Sequence, residues 1–275
     1  MEARCGNWRL EGILAVGGIA EVWRGVAAAL AEPPRAAIKI LHSHLLRHDA
    51  VRAMFDVERE LLQTLPRHPG LVHAFERGEL HDRPWVAMNL VEGASLREHL
   101  DGPRIESGPP QPRRVAVDLA LQLVARTCDA VIHLHEQGWV HGDVNPANLV
   151  VSPDLRSAVL CDLGVARRCG GAGPVQGTHA YMAPEQARGE PWTPATDVFA
   201  LGVLLWELVE GRRLFHRGPS WLTTRAVLEE PVPPLGDPAL DAIARRALAK
   251  DAAERLGDAR ALARALESYG VAISS

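Results

Sequence analysis

His141-Gly142-Asp143-Val144-Asn145-Pro146-Ala147-Asn148 is the stretch on which the reading of this chain turns. Asp143 and Asn148 lie five residues apart and bracket a tight segment that contains a proline. That spacing suits a loop presenting one carboxylate to a hydroxyl proton and one amide oxygen to a cation. Thirteen residues after Asn148 comes Cys161-Asp162-Leu163-Gly164, where a second acidic residue follows a short apolar strand pattern and precedes a glycine. Phosphoryl transfer needs parts of this kind, because phosphates are handled through Mg2+ held by hard oxygen ligands.

Outward from this centre the chain changes character. The first ninety residues carry short apolar runs at 36–41 and 85–90 that read as strands, around one helical pattern. In that helix Phe55, Glu58, Leu62 and Leu65 recur at spacings of three and four, so they share a face. Residues 101–112 are rich in proline and glycine and read as an exposed loop. Beyond them Leu121, Val124, Cys128, Val131 and His135 recur at helical spacing, as do Leu240, Ile243 and Ala247, then Leu262 and Leu266. No internal repeat is visible. A β-rich front and an α-rich back predict an α+β protein whose halves meet near residues 89–94.

Together these residues resemble the eukaryotic-like, bacterial-type serine/threonine protein kinase family, and the resemblance covers nearly the whole chain. It implies a bilobal protein kinase fold over 8–270: a small β-rich lobe at 8–88, a hinge at 89–94 and a larger helical lobe at 95–270. It further implies that ATP and Mg2+ are bound and that the γ-phosphoryl group passes to a Ser or Thr hydroxyl of a protein substrate. Residue by residue, Asp143 orients the attacking hydroxyl and accepts its proton, and Asn148 and Asp162 hold magnesium. Ala37-Ile38-Lys39 resembles the strand whose lysine contacts the α- and β-phosphates. Glu58 is its ion-pair partner, preferred over Glu60 because it shares the inward apolar face of its helix.

Two further stretches carry the likeness. Gly177-Thr178-His179-Ala180-Tyr181-Met182-Ala183-Pro184-Glu185 looks like the segment that closes the activation loop and seats the substrate peptide. In it, Thr178 matches the threonine that hydrogen-bonds the catalytic aspartate. Thr196-Asp197 and the apolar run through Leu208 resemble the buried helix that anchors the lower lobe, and Arg255 falls where family members pair an arginine with Glu185. For the nucleotide, the likeness implies Leu14, Ala15, Val16, Gly17 and Gly18 around the phosphates. Val22 and Ala37 lie above the adenine, Val150 beneath it, and Met88 at the gatekeeper position. Backbone groups of Asn89 and Val91 meet the adenine edge.

The sequence also departs from the family pattern. In the phosphate-covering loop only the middle glycine, Gly17, is kept, with Ala15 and Ala20 at the first and third places; alanine's methyl group disfavours φ > 0 and close backbone approach. Gly142 replaces the arginine that in many kinases pairs with a phosphorylated activation loop. Between Gly164 and Gly177 there is no Ser, Thr or Tyr. Both absences point to a kinase that is not switched by phosphorylation there. Asn145 replaces the lysine that usually touches the γ-phosphate, and Leu163 stands where phenylalanine is usual.

Each piece alone has a plainer meaning. Asp143 would be a turn residue, Lys39 and Glu58 solvated charges, Gly17-Gly18 an ordinary turn, and His141 a structural imidazole packed beside the magnesium loop. Joint order and spacing argue for the kinase instead. Three alternatives stand beside it. A pseudokinase acting as a nucleotide-binding or docking module is favoured by Ala15, Gly142 and Asn145. A small-molecule phosphotransferase shares His-Gly-Asp-x-x-x-x-Asn but lacks the 177–185 segment. A tyrosine acceptor is disfavoured by Thr178.

Bulk properties narrow the classes further. A net charge of −4 gives no reason to expect a nucleic-acid or membrane-surface partner, both of which favour basic patches. Four cysteines without CxxC pairing suggest neither a zinc site nor a disulfide framework, and reduced thiols fit a cytoplasmic protein. The most apolar segment, 198–207, is well short of the roughly 20 residues that span a bilayer. No signal peptide is apparent near the N-terminus, where Glu2, Arg4, Arg9 and Glu11 interrupt any apolar run. The expectation is a free-standing soluble protein.

Overall fold

The computed structural model describes residues 4–27, 34–101, 115–173 and 175–270. These form two compact units. One runs from the N-terminus to Glu92 and adds Asp162–Gly164; the other takes Gly93–Cys161 and the chain from Val165 onward. The first is β-rich and the second largely helical, an α+β composition.

In the first unit the strands are β1 (Arg4–Cys5), β2 (Trp8–Val16), β3 (Ala20–Ala27), β4 (Arg35–Leu41), β5 (Ala74–Leu80) and β6 (Arg83–Asn89), with one helix, α1 (Asp49–Thr64). They build an antiparallel sheet in the order β1-β2-β3-β4-β6-β5. Alternation along β4 decides which side chains meet. Ala36, Ile38 and Ile40 enter a core with Cys5, Trp8, Trp85 and Ala87, while Ala37 and Lys39 point to the opposite face. β5 and β6 join through His81 and Asp82, both at positive φ (49° and 62°), as a two-residue hairpin turn matched to strand twist demands. Helix α1 buries Phe55, Glu58, Leu61 and Leu62. Leu65, expected on that face, is instead the extended residue that ends the helix.

The second unit holds β7 (Ala94–Ser95), α2 (Leu96–Asp101), α3 (Val117–Glu136), β8 (Trp139–Val140), β9 (Leu149–Val151), β10 (Ala158–Leu160) and β11 (Arg167–Arg168). It continues with α4 (Pro184–Ala187), α5 (Pro194–Glu210), α6 (Ser220–Glu229), α7 (Pro238–Ala247) and α8 (Ala259–Ser268). Its centre is α5, in which every residue from Ala195 to Leu208 is buried. Pro194 starts that helix where its missing N–H costs nothing, and Gly211 ends it at φ 68°. Buried residues of α3, among them Leu121, Val124, Cys128 and Val131, form its core-facing stripe. Asp237 and Asp258 cap α7 and α8 by accepting hydrogen bonds from backbone N–H groups of their first turns. Strands β10-β9-β7 form a three-stranded sheet and β8 pairs with β11. Apart from Asp101, the last residue of α2, the loop expected at 101–112 lies outside the described residues. Among the described residues, no helix is long and apolar enough to cross a membrane.

Candidate active site

In the first unit, Lys39 leaves the middle of β4 on the face away from the tryptophan core and meets Glu58 on the buried stripe of α1. Its Nζ donates to both Glu58 oxygens, at 2.6 and 2.8 Å, and to Asp162 Oδ1 at 2.7 Å. Glu60 is exposed. Lys39 and Glu58 are both buried, whereas the Asp162 side chain is 49% exposed. Burial pushes the Glu58 carboxyl up, to about 7, against the pull of Lys39 and with the like charge of Asp162 adding to the rise. Burial also opposes the ammonium of Lys39, but the carboxylates of Asp162 and Glu58 outweigh it and raise its proton affinity. Asp162 goes the other way: its partial burial would raise its carboxyl, yet the Lys39 ammonium holds it well below the usual carboxylate range.

Asp162 sits at φ 62°, a left-handed conformation uncommon for a residue with a side chain. It is steadied by Gly164, whose N–H donates to Asp162 Oδ1 at 3.1 Å. A methyl group on Gly164 would stand 3.0 Å from that oxygen and 3.4 Å from Glu58 Oε2, so glycine leaves the pair its room. Oδ1 is thus committed to Lys39 and Gly164, and the other oxygen lies outside both bonds.

The phosphate-loop residues form the β2–β3 hairpin, with Ala15 opposite Val22 and Val16 opposite Glu21. Leu14 and Val16 are exposed, Val16 by 67%. Gly17 N–H closes the turn onto the Ala20 carbonyl at 2.9 Å. His42, just past β4, grips the same turn. Its Nε2 lies 2.9 Å from the Gly17 carbonyl and its backbone N–H donates to the Ile19 carbonyl at 2.9 Å. Val22 pairs with Lys39 across the sheet, and Ala37 pairs with Met88. Asn89 spends its backbone N–H on the His73 carbonyl, while its side-chain oxygen accepts from His73 N–H. Val91 lies half-buried just beyond β6.

In the second unit the 141–148 loop is tied down residue by residue. His141 and Gly142 N–H donate to the two oxygens of Asp197 on α5, each at 2.8 Å, and His135 Nε2 lies 2.9 Å from Asp197 Oδ2. Gln186 Nε2 donates to the Gly142 carbonyl at 2.8 Å. Asp143 N–H donates to His141 Nδ1 at 3.2 Å, which puts the imidazole proton on Nε2. The Asp143 carboxylate receives one donor on each oxygen: Thr178 backbone N–H on Oδ1 at 2.8 Å and Asn148 Nδ2 on Oδ2 at 2.9 Å. The two donors together fix the plane of the carboxylate.

Asn145 is buried, and its amide is fully used. Nδ2 donates to the Asp143 carbonyl and to Thr178 Oγ1, both at 3.0 Å, and Oδ1 accepts from Ala147 N–H at 2.8 Å. Thr178 therefore reaches Asp143 through its backbone N–H, while its hydroxyl accepts from Asn145. Asn148 Nδ2 also donates to the Asp143 carbonyl at 2.9 Å, which leaves its side-chain oxygen outside these bonds. Val150, on β9, is half-buried and pairs with Ser95 and Val159.

The 177–185 segment is anchored at its middle and at its last residue. The Tyr181 hydroxyl donates to Glu207 Oε2 at 2.5 Å and accepts from Arg97 at 2.9 Å. Glu185 takes a bidentate pair from Arg255, at 2.8 and 2.6 Å, and a hydrogen bond from the Thr196 hydroxyl at 2.9 Å. Lys39, Glu58 and Asp162 thus meet in one unit, and Asp143, Asn148 and Thr178 meet in the other. His42, Gln186 and Arg97 were not singled out from the sequence, and His135 only as one position of a helical stripe. The only sequence signal among them is that a lone carboxylate in an apolar helix, such as Asp197, must find donors.

Among the described residues, no cluster of three or more His, Cys, Asp or Glu could hold a metal by itself. Magnesium does not need one, since it is bound through one or two protein oxygens together with substrate phosphates. The Asp162 carboxylate in the first unit and the Asn148 amide oxygen in the second are each hard donors of that kind.

A β-rich unit with a buried lysine–glutamate pair and a helical unit with a clamped aspartate loop define a protein kinase domain. Residues 8–265 match the family model described as protein kinase domain, and the chain belongs to that family. It is 33% identical over 264 residues to the serine/threonine-protein kinase PknB of Mycolicibacterium smegmatis, covering 89% of this chain and 40% of that protein. It is 31% identical over 266 residues to PknB of Mycobacterium tuberculosis, covering 90% of this chain and 40% of that one. With PknA of Mycobacterium tuberculosis the identity is 31% over 240 residues, covering 84% of this chain and 53% of that protein. The chain therefore spans about half or less of the length of these relatives.

Proposed function

We propose that this domain, over residues 8–270, transfers the γ-phosphoryl group of ATP to a Ser or Thr hydroxyl of a protein substrate, in the cytoplasm. The observation that carries the reading is the Asp143 carboxylate, held on both oxygens by Thr178 and Asn148. So held, it orients an acceptor hydroxyl and takes its proton as the phosphoryl group arrives. Lys39 is kept charged by Glu58 and Asp162 and serves the α- and β-phosphates. Met88, Val22, Ala37 and Val150 line the adenine, and the Asn89 carbonyl and Val91 backbone meet its edge. Asp162 and Asn148 would hold Mg2+, which supplies charge neutralisation at the β- and γ-phosphate oxygens. The serine/threonine assignment is supported by the names of the relatives and by Thr178.

The domain is not switched by activation-loop phosphorylation on this reading, because residues 165–176 offer no hydroxyl and Gly142 no guanidinium. Asn145 favours a second reading, a pseudokinase, since both its amide hydrogens are spent, on the Asp143 carbonyl and the Thr178 hydroxyl, and none remains for a γ-phosphate. A thermal-shift titration with MgATP, followed by a radiolabelled transfer assay on wild type and Asp143→Ala, separates the two. Metal-dependent transfer that disappears in Asp143→Ala is expected. Binding without transfer by the wild type would sink the enzyme reading and leave the docking module.

A further inference from the structure

The sequence removes both partners of the usual phosphate switch, and the space they vacate is filled. A methyl group built on Gly142, which sits at φ 74°, would lie 2.1 Å from Trp192 Cζ3, so the catalytic loop at this point packs directly on the indole. Trp192 is fully buried. The guanidinium of Arg167 stacks on its ring, 4.0 Å from the centroid. The backbone of Gly173 in turn lies on that guanidinium: a methyl group there would stand 2.4 Å from Arg167 Nη1 and 2.7 Å from Cζ. Gly142, Trp192, Arg167 and Gly173 thus form one continuous contact from the catalytic loop into the activation segment. Two glycines make room for it.

The backbone reinforces the column. Gly170 N–H donates to the Trp192 carbonyl at 2.7 Å, and Trp192 N–H donates to the Gly171 carbonyl at 3.0 Å. Arg167 and Arg168 pair as β11 with Trp139 and Val140, and Arg168 stacks on the Trp139 ring at 4.5 Å. A guanidinium over a tryptophan face is the strongest common cation–π pairing and gains as the site is desolvated. Arginine's planar fork suits it where lysine's compact ammonium suits it less well.

We propose that Arg167 and Trp192 are positioning residues that hold the activation segment against the Gly142–Asp143 loop without a phosphate, doing permanently what a phosphorylated loop does on demand. The proposal rests on the kinase reading for its effect on rate, but not for its effect on order in the segment.

Two variants test it without emptying the core: Arg167→Ala removes the cation, and Gly173→Val pushes it off the ring. Hydrogen exchange on the unliganded protein reads the backbone N–H groups of Gly170 and Trp192, and steady-state kinetics reads transfer. Phosphatase-treated wild type is expected to keep its full rate. Both variants should exchange faster at those amides, hold their melting temperature, and lose at least about tenfold in kcat with little change in KM for ATP, as expected for a misplaced catalytic loop. Arg167→Lys should recover part of the rate. Unchanged exchange in both variants overturns the proposal, and so does faster exchange with an unaltered kcat. If the wild type transfers no phosphate, the enzyme reading fails by itself, and the exchange contrast still decides whether the stack orders the segment.

Discussion

Asp197→Asn is the perturbation with the most to say about how the catalytic loop is held. The carboxylate is fully buried and accepts three hydrogen bonds, from His141 N–H and Gly142 N–H at 2.8 Å and from His135 Nε2 at 2.9 Å. His135 Nδ1 is buried with no hydrogen-bond partner, so the imidazole proton belongs on Nε2, facing the carboxylate. All three groups are donors. An asparagine serves them best with its oxygen toward His141 and His135, which sets its NH2 against the Gly142 N–H. That donor is then buried and unmet, at about 1–3 kcal/mol. The two surviving bonds lose their charge assistance, about 1 kcal/mol each.

The sum is about 3–5 kcal/mol, a large share of the roughly 5–15 kcal/mol that keeps a domain folded. Urea denaturation of both proteins, followed by circular dichroism, measures it directly. The pH dependence adds a second handle. Burial alone would raise the Asp197 carboxyl, yet the His135 contact and the Gly142 N–H hold it below the usual range. A depressed native value contributes stability that is complete above the unfolded value, about 3.9, and is lost as pH falls through the native one. The gap between wild type and Asp197→Asn should therefore be level from about pH 5 to 8 and close on the acid side. A destabilisation under about 1 kcal/mol at neutral pH would refute the three-donor account.

Lys39→Met should cost at least about a hundredfold in phosphoryl transfer, as loss of a positioned charge does, while circular dichroism stays native because the buried Glu58 takes up a proton in place of its partner. Transfer by the wild type should rise with pH through about 7 as Glu58 ionises and completes its pair with Lys39, and Glu58→Gln should flatten that rise. Stability moves oppositely for this group, since a raised native carboxyl binds a proton that the unfolded chain has already released, so stability falls as pH climbs through that window. Arg255→Leu strands the buried Glu185 carboxylate and should destabilise by about 3–5 kcal/mol in the same urea assay.

What the sequence disclosed depended on how local the evidence was. The spacing of Asp143 and Asn148 lies within one loop, and the Glu58 choice followed from the helical period of Phe55 and Leu62. Both are short-range regularities, and the structure brings Asn148 onto Asp143 and Glu58 onto Lys39. The apolar run after Thr196 likewise becomes the buried helix α5. Other contacts had no such signal. Nothing near Gly142 announces Trp192, fifty positions on, and nothing near Gly17 announces His42. These pairs are fixed by how strands and loops pack, and periodicity carries no information about that. Thr178 is an intermediate case. Its pairing with Asp143 was legible, but the route through backbone N–H was not, because the hydroxyl is diverted by a neighbour, Asn145, whose burial only the fold decides.

The departures from the family pattern take on a different meaning once their surroundings are known. Gly142 and Asn145 look in the sequence like erosion of a catalytic motif. In the structure each replacement is matched by a contact that the usual residue would forbid. A side chain at 142 would collide with Trp192, and a lysine at 145 would set an ammonium where a buried amide now serves three partners at once. Here the substituted residues are closely packed or fully hydrogen-bonded. This packing favours a domain whose Asp143 is positioned by close contact and neutral hydrogen bonds where related loops use charge.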